Sequence, residues 1–205
     1  MARDTHSITK MSRREGYALH PKAHKHMVKR STVPGQHGRT GRRSVASQYA
    51  LQLREKQKVK RLYGLLERQF SNLMKEANRK EGQSGEILLR LLEQRADNAV
   101  YRAGFAPSRR AARQLVTHGH FMLNGRRVDI PSIRLKAGDV LTVREKSQKT
   151  EYFKNMDDIT GNAEVTVGWL KANRKKFEIT ITGTPSREEA EPDINEQLIV
   201  EYYSR

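Results

Sequence analysis

Cysteine is absent from the 205 residues. That excludes a disulfide scaffold, a cysteine zinc site and a thiol nucleophile, and it fits a reducing compartment. Apolar runs are short, and none approaches the roughly 18 residues of a membrane span. The first residues are basic and hold no apolar stretch of the kind a secretory signal needs. Apolar residues make up 36% and aromatic residues 6%, enough for a modest core in one large domain or two small ones. Acid is scarce too. Asp plus Glu number 23 against 40 Lys plus Arg, a formal net charge of +17. These shortages lead to the expectation of a soluble, cytoplasmic protein. Its partner should be a polyanion, nucleic acid foremost, with neither a membrane nor a small-molecule substrate.

The acid is also unevenly placed. Residues 1–45 carry 11 basic and 2 acidic side chains, residues 46–92 carry 10 and 5, and residues 93–150 carry 12 and 5. In residues 151–205 the balance reverses, to 7 and 11. Three quarters of the chain suits phosphate and the last quarter does not.

Catalytic signatures are missing as well. There is no Walker loop, no dinucleotide-binding glycine fingerprint and no nucleophile elbow. No catalytic residue, cofactor or metal is expected. His20, His24, His26 and His37 are spaced irregularly, and Lys22, Lys25 and Lys29 among them would repel a cation. Contact with nucleic acid by a basic arm is the better reading.

Residues 1–43 show no sustained period and read as an extended basic arm that orders against a partner. A long helix follows, capped by Ser44 or Ser47. Val59, Leu62, Tyr63, Leu66, Phe70, Leu73, Met74 and Ala77 form its apolar stripe, and Arg54, Lys56, Lys58, Lys60, Arg61 and Arg68 decorate it. Gly82 and Gly85 break the pattern. Ser84 starts a second helix, with Ile87, Leu88, Leu91, Leu92 and Ala99 inward, ended by Gly104. Ser108 caps a third helix, ended by Gly119. The period then changes. Asn124-Gly125 marks a hairpin, Lys136 to Asp139 a second turn, and Val140 to Val143 a strand. Lys146 to Asp158 reads as polar and irregular. Val165 to Val167 and Phe177 to Ile181 read as strands, with a helical turn beginning at Trp169-Leu170 between them. The apolar segment Ile194 to Tyr203 should dock on a core.

The densest polar constellation spans residues 108–128. Arg109 and Arg113 share a helical face, and Arg110 and Gln114 form the neighbouring row. His118, His120, Asn124, Gly125, Arg126 and Arg127 follow. Guanidinium forks, imidazoles and a tight turn in one place suit a phosphate backbone and exposed loop bases. A solvated charged helix face is the plainer alternative.

The runs Ser108-Arg109-Arg110-Ala111-Ala112-Arg113-Gln114-Leu115-Val116, His118-Gly119-His120 and Asn124 to Ser132 resemble the RNA-binding module named after ribosomal protein S-four. That module also occurs in RNA-modifying enzymes. The flanks extend the resemblance. Pro34-Gly35-Gln36-His37-Gly38, Gln52 to Lys58, Tyr63-Gly64, Leu66 to Phe70 and Ile194 to Arg205 resemble other parts of the bacterial-type S-four family, in order and over nearly the whole chain. Many members carry four N-terminal cysteines that bind zinc. Here Thr9 and Ser12 stand where the first two would be, which marks the zinc-free variety.

The resemblance implies an α+β protein. Its helical domain, residues 44–92, would be completed by about 181–205. An RNA-binding domain, 93–180 with its module at about 93–150, would be inserted between them. It would hold helices packed on a small, mainly antiparallel sheet. The implied role is a structural, non-enzymatic binder of small-subunit rRNA that nucleates assembly. Candidate RNA contacts are Arg13, Arg14, Gln36 and His37 in the arm, Arg54, Lys56, Lys58, Arg61 and Arg68 on the long helix, and Ser108, Arg109, Arg110, Arg113, Gln114, His118, His120, Asn124, Gly125, Arg126 and Arg127 in the module. Arg39, Arg42 and Arg43 are candidates for the channel through which mRNA enters. Glu188, Glu189, Glu191 and Glu196 are candidates for contact with a neighbouring ribosomal protein, where translational accuracy is affected. An RNA-modifying enzyme is the alternative. It would need a large catalytic domain, for which residues 1–92 and 151–205 leave too little room.

Overall fold

The computed structural model describes residues 4–38, 46–161 and 167–204. Among these the helices are α1 (Ile8–Glu15), α2 (Pro21–Lys29), α3 (Gln48–Leu62), α4 (Glu67–Ala77), α5 (Ser84–Glu93), α6 (Ala96–Arg102), α7 (Arg109–Thr117), α8 (Glu145–Gln148), α9 (Glu151–Lys154), α10 (Met156–Thr160) and α11 (Glu196–Tyr203). The strands are β1 (Phe121–Leu123), β2 (Arg126–Val128), β3 (Val140–Val143), β4 (Leu170–Asn173) and β5 (Glu178–Ile181). The chain forms two compact units, residues 1–88 with 193–205, and residues 89–192.

The first unit is helical. Its N-terminal part is not the extended arm expected from its Gly, Pro and His content. Local capping builds two helices there. Gly16 takes a left-handed conformation, φ 66°, that stops α1. Pro21 opens α2, and His20 Nδ1 accepts from Lys22 N at 3.0 Å. The buried apolar residues of this stretch are few: Met11, Leu19 and Ala23. The expected long helix is two helices, α3 and α4, because the chain turns at Gly64, φ 65°. Ser47 caps α3, its Oγ accepting from Ala50 N at 3.2 Å. The apolar stripe holds across the break, with Val59, Leu62, Phe70, Leu73, Met74 and Ala77 buried. The C-terminal helix α11 packs on α3, burying Ile199 completely. Gln52 Nε2 donates to Glu201 Oε2 at 2.8 Å, and Glu55 Oε1 accepts from Asn195 N at 2.9 Å.

The second unit is a sheet covered by helices. Strand order is β2-β1-β3-β5-β4, with every pair antiparallel. Leu141 and Val143 alternate inward along β3, as Ile179 and Ile181 do along β5, and Leu141 pairs with Ile179. Asn124 and Gly125 have φ 48° and 81°, the positive values that a two-residue hairpin turn requires. Phe105, Phe121 and Phe153 meet edge to face at the centre. The stretch expected to be irregular folds as α8, α9 and α10, which deliver Phe153 and Met156 to this core. Trp169 leads into β4 rather than a helical turn. Residues 165 and 166 lie outside the described residues. The end of the insertion also differs from the expected 180. Ile181 belongs to β5, and Ala190 is buried. Glu189 Oε1 accepts from Gly168 N and Trp169 N at 2.7 and 3.1 Å. Those contacts keep residues 181–192 in the second unit.

Candidate nucleic-acid interface

Helix α7 is held by its cap and its core face. Ser108 is buried and its Oγ accepts from Ala111 N at 3.2 Å, so this side chain serves the helix start. Ala112, Leu115 and Val116 face the core. The arginines then divide. Arg109 and Arg113 do share a face, but it turns toward α6. Arg109 Nε donates to Asn98 Oδ1 at 2.9 Å and Nη2 to Glu191 Oε1 at 2.7 Å, with the guanidinium 4.6 Å above the Tyr101 ring. Arg113 Nη1 donates to Asp97 Oδ2 at 2.9 Å. Asp97 also receives two bonds from Arg95, at 3.0 and 2.8 Å. Arg102 makes two bonds to Glu93, whose side chain is fully buried. Four arginines and three acids thus form a mostly buried lattice. In such a place each charge needs its partners to offset desolvation.

The other row, Arg110, Gln114 and His118, is exposed. So are Asn124, Gly125, Arg126 and Arg127 on the hairpin. Asn124 holds the turn: its Nδ2 donates to Asp139 Oδ1, and its Oδ1 accepts from Val140 N, both at 2.9 Å. Gly119 joins the hairpin to the end of α7. A Cβ there would fall 2.6 Å from Arg127 Nε, so the guanidinium lies against this glycine. Arg144 Nη1 donates to Gly119 O at 3.1 Å. Arg144 escapes the spacing argument because it lies 25 residues away. The pairing of Phe121 with Val143 brings it beside His120. His120 Nδ1 lies 3.0 Å from Ser147 Oγ. Burial lowers the pKa of His120, and His118 and Arg144 add to the effect, which favours the neutral ring. Arg127 and Arg144 thus meet at one glycine, with His118 preceding it in the chain. The expected gathering of helix end and hairpin is present, but without Arg109 and Arg113.

In the first unit the candidates divide the same way. Lys56, expected on the surface, is 3% exposed. Its Nζ donates to Glu67 Oε1 at 2.6 Å and lies 4.5 Å from the Tyr202 ring centroid. Burial opposes ionisation of Glu67, but hydrogen bonds from Lys56, Lys60 and Tyr203 outweigh it and hold the carboxyl at about 2. Lys58 Nζ donates to Asp193 O at 2.6 Å. Arg54 and Arg61 both donate to Glu15, whose side chain is fully buried. Burial raises that carboxyl despite the two arginines. Arg13 donates to Thr32 O at 2.9 Å. Arg14, Gln36 and Arg68 are exposed. The side chain of His37, and residues Arg39, Arg42 and Arg43, lie outside the described residues.

Ser12 does not fit zinc. Ser12 is fully buried, its Oγ donating to Ile8 O at 2.8 Å and accepting from Leu19 N at 3.3 Å. A neutral hydroxyl already satisfied in this way is no zinc ligand. Among the described residues no three His, Asp or Glu side chains converge as a metal site.

Of the four acids expected to face a neighbour, Glu188 is exposed. Glu191 is spent on Arg109 and Arg102. Burial works to raise the pKa of Glu189, but N–H bonds from Ser186, Gly168 and Trp169 lower it overall. Glu196 opens α11 and packs close to Gly85.

Comparison with known proteins agrees with this architecture. Residues 3–93 match the family model "Ribosomal protein S4/S9 N-terminal domain", and residues 94–141 match the "S4 domain". The chain is 50% identical over 206 residues to a protein of Chloroflexus aurantiacus named "Small ribosomal subunit protein uS4", with all of both chains covered. Proteins of the same name from Clostridioides difficile and Chlorobium phaeovibrioides are 50% and 49% identical, again over the full length of both chains. With full-length identity of this order and both domain models in sequence, the chain belongs to the uS4 family of small ribosomal subunit proteins.

Proposed function

We propose that the chain is a structural component of the small ribosomal subunit that binds small-subunit rRNA directly and acts by binding, not catalysis. The observation that carries this reading is the exposed row of Arg110, Gln114 and His118, followed by the Asn124 to Arg127 hairpin whose Arg127 lies against Gly119. Cations on this hairpin replace counterions along an RNA backbone, and the turn supplies backbone shape. On the same reading the protein works in the cytoplasm and nucleates assembly of the subunit body. Arg39, Arg42 and Arg43 would line the channel through which mRNA enters. Glu188, the exposed member of its acidic group, would meet a basic neighbour; a rim pair of that kind contributes about 1 kcal/mol or less.

The test is filter binding and footprinting of the pure full-length chain on small-subunit rRNA. If about six phosphates are engaged, raising salt from 50 to 200 mM weakens binding on the order of a thousandfold. A salt slope near zero, or equal affinity for unrelated RNA of the same length, would overturn the reading.

A further inference from the structure

The first unit holds a concave site that none of the candidate contacts describes as a whole. A cavity of about 640 Å³ is bounded by Asp4 to Ser7, by one side of α1, by Pro34-Gly35 and by the Lys60 to Leu66 stretch. Its floor is apolar: Met11 and Leu65 are buried, and Leu66 and Pro34 are partly covered. Four cations line it, and they are not equivalent. Lys60 Nζ donates to Glu67 Oε2 at 2.9 Å, and Arg61 is bound to Glu15. Lys10 and Arg14 sit four residues apart on α1, one above the other, and both are exposed. Asp4 also lines the cavity, its Oδ1 accepting from His6 N at 2.9 Å and lying 2.6 Å from His6 Nδ1.

This combination is selective. An inorganic anion needs cations but gains nothing from an apolar floor, and it is repelled by Asp4. An apolar peptide side chain fits the floor but makes no use of Lys10 and Arg14. A nucleotide uses all three parts. Its base is flat and apolar on both faces, its amino and imino groups donate to a carboxylate, and its phosphate takes two cations. The volume lies in the range of small-ligand sites, about 300–1,000 Å³. We propose that this cavity takes one unstacked ribonucleotide of the bound RNA, its base against Leu66 and Pro34 and its phosphate at Lys10 and Arg14. The proposal rests on the RNA-binding reading above and adds a base-sized site to it.

The test uses the full-length chain with labelled methyl groups, titrated separately with adenosine monophosphate and inorganic phosphate. The nucleotide should shift the Leu66 methyl signals through the ring current of its base, and phosphate should not. Equal shifts with both, or none with either, overturn the proposal. A second arm measures rRNA affinity of two variants. Thr5→Trp keeps the charge and fills the cavity, so it should weaken binding about tenfold, the scale of one base stack. Lys10→Ala with Arg14→Ala should weaken it and also abolish the nucleotide-induced methyl shifts. Parent-like rRNA affinity of Thr5→Trp contradicts the pocket while leaving RNA binding in place. Failure of the parent itself to select small-subunit rRNA would instead sink the broader reading.

Discussion

Two pairs of arginines in the second unit look alike in sequence and behave differently in the fold. Arg109 and Arg113 on α7 are bound to Asn98, Glu191 and Asp97, and their side chains are 11% and 13% exposed. Arg126 and Arg127 on β2 are open to solvent. The first pair holds helices together and the second is free to meet a partner. The difference arises from tertiary placement. Asp97 stands behind α7 because α6 packs there, and Glu191 comes from the segment after β5, whereas β2 is an edge strand. The same division separates Lys56 from Arg68 in the first unit. A basic residue in this protein is therefore not by that fact an RNA contact.

The largest effect follows from breaking the inward set at its centre. Asp97→Ala leaves Arg95, 5% exposed, without its two bonds and takes one partner from Arg113. Removing one member of a buried pair costs about 3–5 kcal/mol, so urea unfolding of the second unit should shift by that amount. A loss below about 1 kcal/mol would mean that water reaches these charges.

The division was only partly legible in the sequence. Helical spacing placed Arg109 and Arg113 on one face, and they share it. What spacing could not supply was the identity of the facing surface. Asp97 lies 16 residues before Arg113, and Glu191 lies 82 after Arg109. The hairpin was legible because Asn124-Gly125 needs positive φ and little else competes for that dipeptide. The N-terminal helices were not. They are short, they bury few side chains, and they depend on His20, Pro21 and Gly16 at their ends instead of a long apolar stripe. The break at Gly64 was hidden for a related reason: the stripe continues through it, so periodicity alone reports one helix.

A pH titration sharpens the comparison in the first unit. Glu67 is held at about 2, below its unfolded value near 4.5. The stability it contributes is fully present above about 4.5 and is lost as pH falls toward 2. Glu67→Gln should flatten that part of the stability profile, and an unchanged acid limb would show that Lys56 does not depend on this partner. The smallest effects are expected in the acidic quarter. Glu189→Gln weakens the bonds to the Gly168, Trp169 and Ser186 N–H groups and should cost about 1 kcal/mol. Glu188→Gln should change stability by less than about 0.5 kcal/mol. Equal losses in thermal melts would erase the distinction between a bonded acid and a free one.

The most direct test sets the two arginine pairs against each other on one axis, the salt dependence of small-subunit rRNA binding. Arg126→Gln with Arg127→Gln should lower the slope of log affinity against log salt by about 2, one for each phosphate no longer neutralised, with stability unchanged. Arg109→Gln with Arg113→Gln should leave the slope of the folded protein at its parent value while lowering stability. A slope that falls with the α7 pair and holds with the hairpin pair would contradict the account.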